Sequence, residues 1–117
     1  MKWIIILLIV IFFVWRMMPK KGISSISTEE LKGMLKDKSK QFLDVRTPGE
    51  YKGRHIKEFK NIPLNTLNAQ LGKFDKSKEV IVICQSGMRS AKAANILKKS
   101  GYKKVTNVKG GMSAWGG

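Results

Sequence analysis

Glu79-Val80-Ile81-Val82-Ile83-Cys84-Gln85-Ser86-Gly87-Met88-Arg89-Ser90-Ala91 is the stretch whose reading decides the fold. Four consecutive β-branched residues, Val80 to Ile83, predict a strand buried on both faces. The run stops at Cys84, the single cysteine of the chain, and from Ser90 to Lys99 the spacing is that of a helix. Strand, tight loop and helix N-terminus turn several backbone N–H groups toward one point, which makes a cradle for an anion. A thiol at the first position of that loop feels those dipoles and the charge of Arg89. Both favour thiolate, so Cys84 is expected to be a nucleophile at neutral pH. Gly87 suits a tight loop that needs positive φ or close backbone approach. The bland alternative is a free cysteine acting as a small buried hydrophobe. A Gly and an Arg within five residues of Cys84 outweigh it.

Outward from the loop lie two more motifs. One is Phe42-Leu43-Asp44-Val45-Arg46-Thr47-Pro48-Gly49-Glu50-Tyr51, continuing to His55-Ile56 and Asn61-Ile62-Pro63-Leu64; the other is Val108-Lys109-Gly110-Gly111-Met112-Ser113-Ala114-Trp115. With Cys84–Ser90 between them, in this order, they resemble the three signatures of the rhodanese-like domain family over about residues 23–117. The resemblance implies a loop cysteine that accepts a sulfane sulfur and carries it as a persulfide. Cys84 is then the catalytic residue, with Gln85, Ser86, Gly87, Met88, Arg89 and Ser90 binding substrate. The sequence departs from the family pattern at Arg54, where Gly is usual, and at Glu58-Phe59, where Gly-Ala is usual. His55, the only histidine, suggests a Cys-His dyad, but the family's mechanism needs no histidine base, so a packed or capping role is expected.

Strands separated by helical patterns argue for a small α/β domain, and the resemblance implies the same: a three-layer fold with a central, mostly parallel sheet. Ile23–Ile26 reads as an edge strand and Phe42–Val45 as one too apolar for an edge. Asp44, at the end of the latter, points to where an α/β sheet builds its site. Asp44 and Arg46 are expected to brace the loop by hydrogen bonds and an ion pair rather than to act in catalysis. Ser27-Thr28-Glu29-Glu30 and Thr47-Pro48-Gly49-Glu50 each have capping-box spacing. The first predicts a helix to about Lys36, and Pro48 at the first helical position supports the second. Leu67 to Leu71 reads as a weak helix, Val105–Val108 as the last strand, and Trp115 as a lid or core plug.

The chain has 117 residues, and without its apolar N-terminal segment about 95 remain, enough for one small domain and not for a tandem copy. One cysteine forms no intramolecular disulfide, and an unpaired thiol fits a reducing compartment. The balance of 23 Lys and Arg against 8 acidic residues gives a formal charge of +15. That suits an anionic partner, yet the lysines are scattered without aromatic interleaving, which favours a solvated or membrane-facing surface over nucleic acid. One Cys, one His and no carboxylate cluster predict no metal site, and no dinucleotide or Walker-type glycine loop is present. The expected cofactor set is therefore empty.

Trp3 to Trp15 is an uninterrupted apolar run flanked by Lys2 and by Arg16, Lys20 and Lys21. Those residues as a helix reach about 20 Å, short of a hydrocarbon core of roughly 30 Å. No small-residue cleavage site follows, and tryptophans stand at both ends, so an uncleaved transmembrane anchor over residues 1–18 is expected in preference to a signal peptide. Residues 19–25 read as a linker and 26–117 as the domain. More positive charge follows the run than precedes it, which predicts a single-pass protein of the cell membrane whose domain faces the cytoplasm, near anionic headgroups.

The leading functional expectation is a sulfurtransferase acting on a small sulfur-containing substrate, with a protein or thiol acceptor. A cysteine phosphatase or arsenate reductase would share the cradle, but those relatives need five residues between Cys and Arg, whereas Cys84 and Arg89 enclose four, Gln85 to Met88. A non-enzymatic sulfide- or redox-sensing module is the third class. Met88, apolar and polarizable beside Arg89, predicts a modest preference for persulfides over thiosulfate.

Overall fold

The computed structural model describes residues 2–17 and 23–116. Five parallel strands make one sheet: β1 (Ile23–Ile26), β2 (Lys40–Asp44), β3 (Lys60–Asn61), β4 (Glu79–Ile83) and β5 (Val105–Val108), in the order β1-β5-β4-β2-β3. The β-branched run is β4, the middle strand, and Val80 to Ile83 are all fully buried. Alternation divides them between two cores. Val80 and Val82 join Leu43, Ala93, Ala94, Leu97 and Tyr102 on one face, and Ile81 and Ile83 join Phe42, Phe59, Leu31 and Met112 on the other. The sheet is thus the middle of three layers, as a parallel sheet requires.

α2 (Thr28–Lys32), α3 (Pro48–Gly53), α4 (Met88–Lys99) and α5 (Gly111–Ala114) are the domain's helices, and Leu64–Lys73 forms a 3₁₀ segment kinked at Gln70. Both predicted capping boxes are present, on Ser27 with Glu30 and on Thr47 with Glu50. α2 ends at Gly33, earlier than its apolar spacing predicts. Gly33 and Met34 donate to the carbonyls of Glu30 and Leu31, an i to i+3 pattern that tightens the chain into turns. α4 starts two residues earlier than predicted, capped by Gly87 at φ 103°, so Met88 and Arg89 stand on its first turn. Of the departures from the pattern, Phe59 serves packing, buried against Phe42 at 5.2 Å between ring centroids, and exposed Arg54 ties the C-terminal segment by donating to the Trp115 carbonyl at 2.5 Å.

The edge strand predicted at Ile23–Ile26 is β1, paired with β5, so the sheet begins within the stretch read as linker. Residues 18–22, which hold the rest of that linker, lie outside the described residues. α1 covers Lys2–Met17. Among the described residues no helix is long and apolar enough to cross a membrane, and the spanning segment expected over residues 1–18 is therefore not supported. The reason is length: the 16 residues of α1 rise about 24 Å, short of a core of roughly 30 Å. Trp3 is 77% exposed; the side chain of Trp15 lies outside what is described.

Candidate active site

Three strands deliver the site at their C-terminal ends. β4 ends one residue before Cys84, β2 ends on Asp44, and β5 leads into Gly110-Gly111. α5 is docked on the loop by main chain alone: Met112 N–H donates to the Cys84 carbonyl at 2.8 Å and Ser113 N–H to that of Gln85 at 2.9 Å. Gly111, at φ 55°, permits this approach, since a Cβ there would stand 2.2 Å from the Cys84 carbonyl oxygen. The C-terminal signature is thus the backing plate of the loop.

Cys84 is fully buried, its carbon framework in the core and its sulfur turned to the loop. Gly87 N–H donates to Sγ at 2.9 Å, and Ser90 Oγ lies 3.3 Å from it. Burial pushes the thiol up. The Ser90 hydroxyl and the amides of Ser90, Gly87 and Ser86 outweigh burial and bring the thiol below its ordinary value. The expected cradle therefore exists, and its main contributors are a hydroxyl and backbone amides. Ser90→Ala removes the largest lowering contribution. Its iodoacetamide titration should shift to higher pH, and alkylation at pH 7 should slow roughly tenfold, the worth of one hydrogen bond to a charged group. An unchanged pH profile would assign the thiolate to the amides alone.

Of the remaining loop residues, Gln85 donates to Ser113 Oγ at 3.3 Å and accepts from Arg46 at 3.4 Å, so it links the loop to α5 and to β2. Met88 is 81% exposed. Arg89 does not turn to the sulfur. Its Nη1 and Nη2 donate to Oε1 and Oε2 of Glu50 at 2.7 and 2.9 Å, a bidentate pair. Glu50 is held down to about 2, first by Arg89 and then, against burial, by the Thr47 amide and hydroxyl. Arg89 is raised by Glu50, against burial, and the Cys84 thiolate adds less than Glu50 does.

Asp44 and Arg46 form the brace beneath. Both are buried; Arg46 Nε lies 3.1 Å from each Asp44 oxygen, Nη2 donates to Oδ2 at 2.9 Å, and the Arg46 amide donates to Oδ1 at 2.9 Å. The guanidinium continues to the carbonyls of Arg54 at 2.6 Å and Glu50 at 3.2 Å. His55 is exposed, stacks on Tyr51 and donates through Nδ1 to the Tyr51 carbonyl of α3 at 2.7 Å, the capping one of the two roles expected of it.

Glu50, Asn107 and Asn61 are the site residues that sequence reading does not single out. Asn107 Oδ1 lies 2.5 Å from Ser90 Oγ and competes with Cys84 Sγ for its one proton, and Asn61 Nδ2 donates to the carbonyls of Asp44 and Arg46 at 3.0 and 2.9 Å. Glu50 reads as a helix cap, which it is, and with Arg54 at i+4 no local signal marks its second role. An amide within Val105–Val108, near the strand's C-terminal end, was the available signal for Asn107.

A family model described as the rhodanese-like domain matches residues 27–117. The chain is 41% identical over 97 residues to a putative sulfur carrier protein, YrkF, of Bacillus subtilis, covering 82% of this chain and 52% of that one. It is 32% identical over 94 residues to a sulfurtransferase of Allochromatium vinosum, covering 80% and 88%. A crystal structure of a rhodanese-like domain protein from Staphylococcus aureus superposes with a TM-score of 0.74 at 40% identity, covering 80% of this chain and 91% of that one. The chain spans 61% and 52% of the length of two curated relatives that it matches, both from Bacillus subtilis.

Proposed function

The chain belongs to the rhodanese-like family through residues 27–117, and on that premise we propose that it is a membrane-tethered sulfurtransferase. It carries sulfane sulfur as a Cys84 persulfide from thiosulfate, polysulfide or a low-molecular-weight persulfide to a thiol or other nucleophilic acceptor. The observation that carries the reading is the hydrogen bonding of Cys84 Sγ by the Gly87 amide and the Ser90 hydroxyl, which stabilises a thiolate. Relatives named as a sulfurtransferase and a putative sulfur carrier support the same chemistry.

The Cys84 thiolate attacks the outer sulfur of the donor. The donor's S–S bond breaks and its electron pair leaves with the remainder, sulfite or a thiolate, while the new bond makes a persulfide on Cys84. The acceptor nucleophile then attacks the outer sulfur, and the bond to Cys84 breaks with its pair returning as thiolate. Loop amides hold the anionic sulfur in both steps. A cysteine phosphatase or arsenate reductase is disfavoured, because the loop encloses four residues and its one cation is paired with Glu50. Intact mass spectrometry after exposure to thiosulfate, polysulfide or glutathione persulfide tests the proposal through a one-sulfur adduct on Cys84 that an added thiol discharges. No adduct with any donor overturns it; an adduct that no acceptor discharges favours a sensing module.

The tether is α1, whose Trp3 to Phe13 side chains are exposed and apolar. In this reading residues 1–18 hold the protein at the cell membrane, and the domain faces the cytoplasm. The full chain is expected in the membrane pellet after carbonate washing, and a chain lacking residues 1–18 in the supernatant. A membrane-impermeant thiol reagent should label Cys84 only after lysis. Full-length protein in the supernatant, or labelling in intact cells, overturns the tether or its orientation.

A further inference from the structure

We propose that Glu50 is a specificity-determining residue: by clamping Arg89 it withholds the loop's one cation from incoming anions, so the site takes persulfides and polysulfides in preference to thiosulfate. This rests on the sulfurtransferase reading and names its donor class. Between Cys84 and Ser90 only Arg89 is cationic, and a dianion entering the loop would need it. Both of its terminal nitrogens are already directed at both Glu50 oxygens, at 2.7 and 2.9 Å. The pair is close to neutral from outside, so within the loop itself an anion meets amide dipoles and little net charge, and the further cation lining the cavity beside Arg89 is Lys92 of α4.

The clamp is held from behind. Glu50 Oε1 also accepts from the Thr47 amide and hydroxyl, both at 3.1 Å, and the Glu50 amide donates back to Thr47 Oγ1 at 3.3 Å. Its carbonyl accepts from Arg46, which is itself fastened to buried Asp44. Releasing Arg89 would leave a carboxylate aimed at the mouth, which repels an anion as strongly as the freed guanidinium attracts it. With a dianionic donor, thiolate and thiosulfate bring three negative charges together, and the dianion sulfite must leave. A deprotonated persulfide brings two, and a monoanionic thiolate leaves. The same amide cradle therefore serves the second donor better.

The test compares the rates at which Cys84 of the full chain acquires one sulfur from thiosulfate and from glutathione persulfide, read by intact mass in single turnovers. Wild type should load faster from the persulfide. Glu50→Gln keeps the shape and the acceptor for the Thr47 amide but removes the charge, and should raise the ratio of thiosulfate to persulfide rates roughly tenfold. Glu50→Asp draws the carboxylate back by one methylene and should move the ratio the same way by less; it carries the test if the glutamine variant does not fold. A wild type that prefers thiosulfate, or a ratio unmoved in the folded variant while both donors load, overturns the clamp and leaves the sulfurtransferase standing. If neither donor loads wild-type Cys84, the sulfurtransferase reading falls and the clamp with it.

Discussion

Cys84→Ser should abolish persulfide formation, lowering transfer by more than roughly a thousandfold, while the domain stays folded. The activity loss follows from the nucleophile: a serine hydroxyl is far less acidic than a thiol, and a hydrogen-bonded loop does not bring it to an alkoxide at neutral pH. The stability cost should be about 1 kcal/mol, because the new hydroxyl inherits the Gly87 N–H that now points at Sγ and is not left unpaired. Intact mass after donor exposure and a urea unfolding curve check the two halves. Transfer near the wild-type rate would remove Cys84 from the chemistry. Global unfolding would instead mean that the sulfur is chiefly a packing element of the core to which its carbons belong.

Arg46→Leu should cost the most stability, about 3–5 kcal/mol, because it strands the fully buried Asp44 carboxylate without its cation. Only the hydrogen bond from the residue 46 amide would remain of the four contacts that now join the pair, and the carbonyls of Arg54 and Glu50 would lose a donor too. For a domain of this size such a loss lowers Tm by at least roughly 12 °C. Adding Asp44→Asn should recover part of it, since the uncompensated charge is then gone. A single-variant loss below about 1 kcal/mol, the worth of an exposed pair, would show that water reaches the pair. Cys84 loading should fall as well, because Arg46 holds both Gln85 of the loop and the carbonyl of Glu50.

Much of this architecture is legible from local chemistry. Val80 to Ile83 could be nothing but a buried strand, because an apolar β-branched run without alternation satisfies both faces of a sheet. Ser27 with Glu30 and Thr47 with Glu50 announce helix starts through contacts three residues apart. Gly87 was readable as a positive-φ residue and has φ 103°. The N-terminal run was legible as apolar and as short of a hydrocarbon core; the span expected in spite of that length is not supported by the 16 described residues of α1. α2 stops short of its predicted end near Lys36, since periodicity at Met34 and Leu35 does not distinguish a helix from the 3₁₀-like turns that place them against the core.

What the sequence by itself determined is the strand–loop–helix unit around Cys84, the helix starts and the fold class, all of which depend on residues within about one turn or one strand of each other. Which groups meet at the sulfur was decided only by the tertiary structure. Proximity in the chain placed Arg89 in the cradle; Glu50, 39 positions earlier, draws it out, and only the parallel pairing of β2 with β4 brings those two residues into reach. Gly111 is needed for a contact with Cys84 across the sheet, and Asn107 reaches Ser90 from a neighbouring strand. Backbone propensity acts over a few residues, whereas a bidentate ion pair is set by where two separate strands end, and no local pattern encodes that distance.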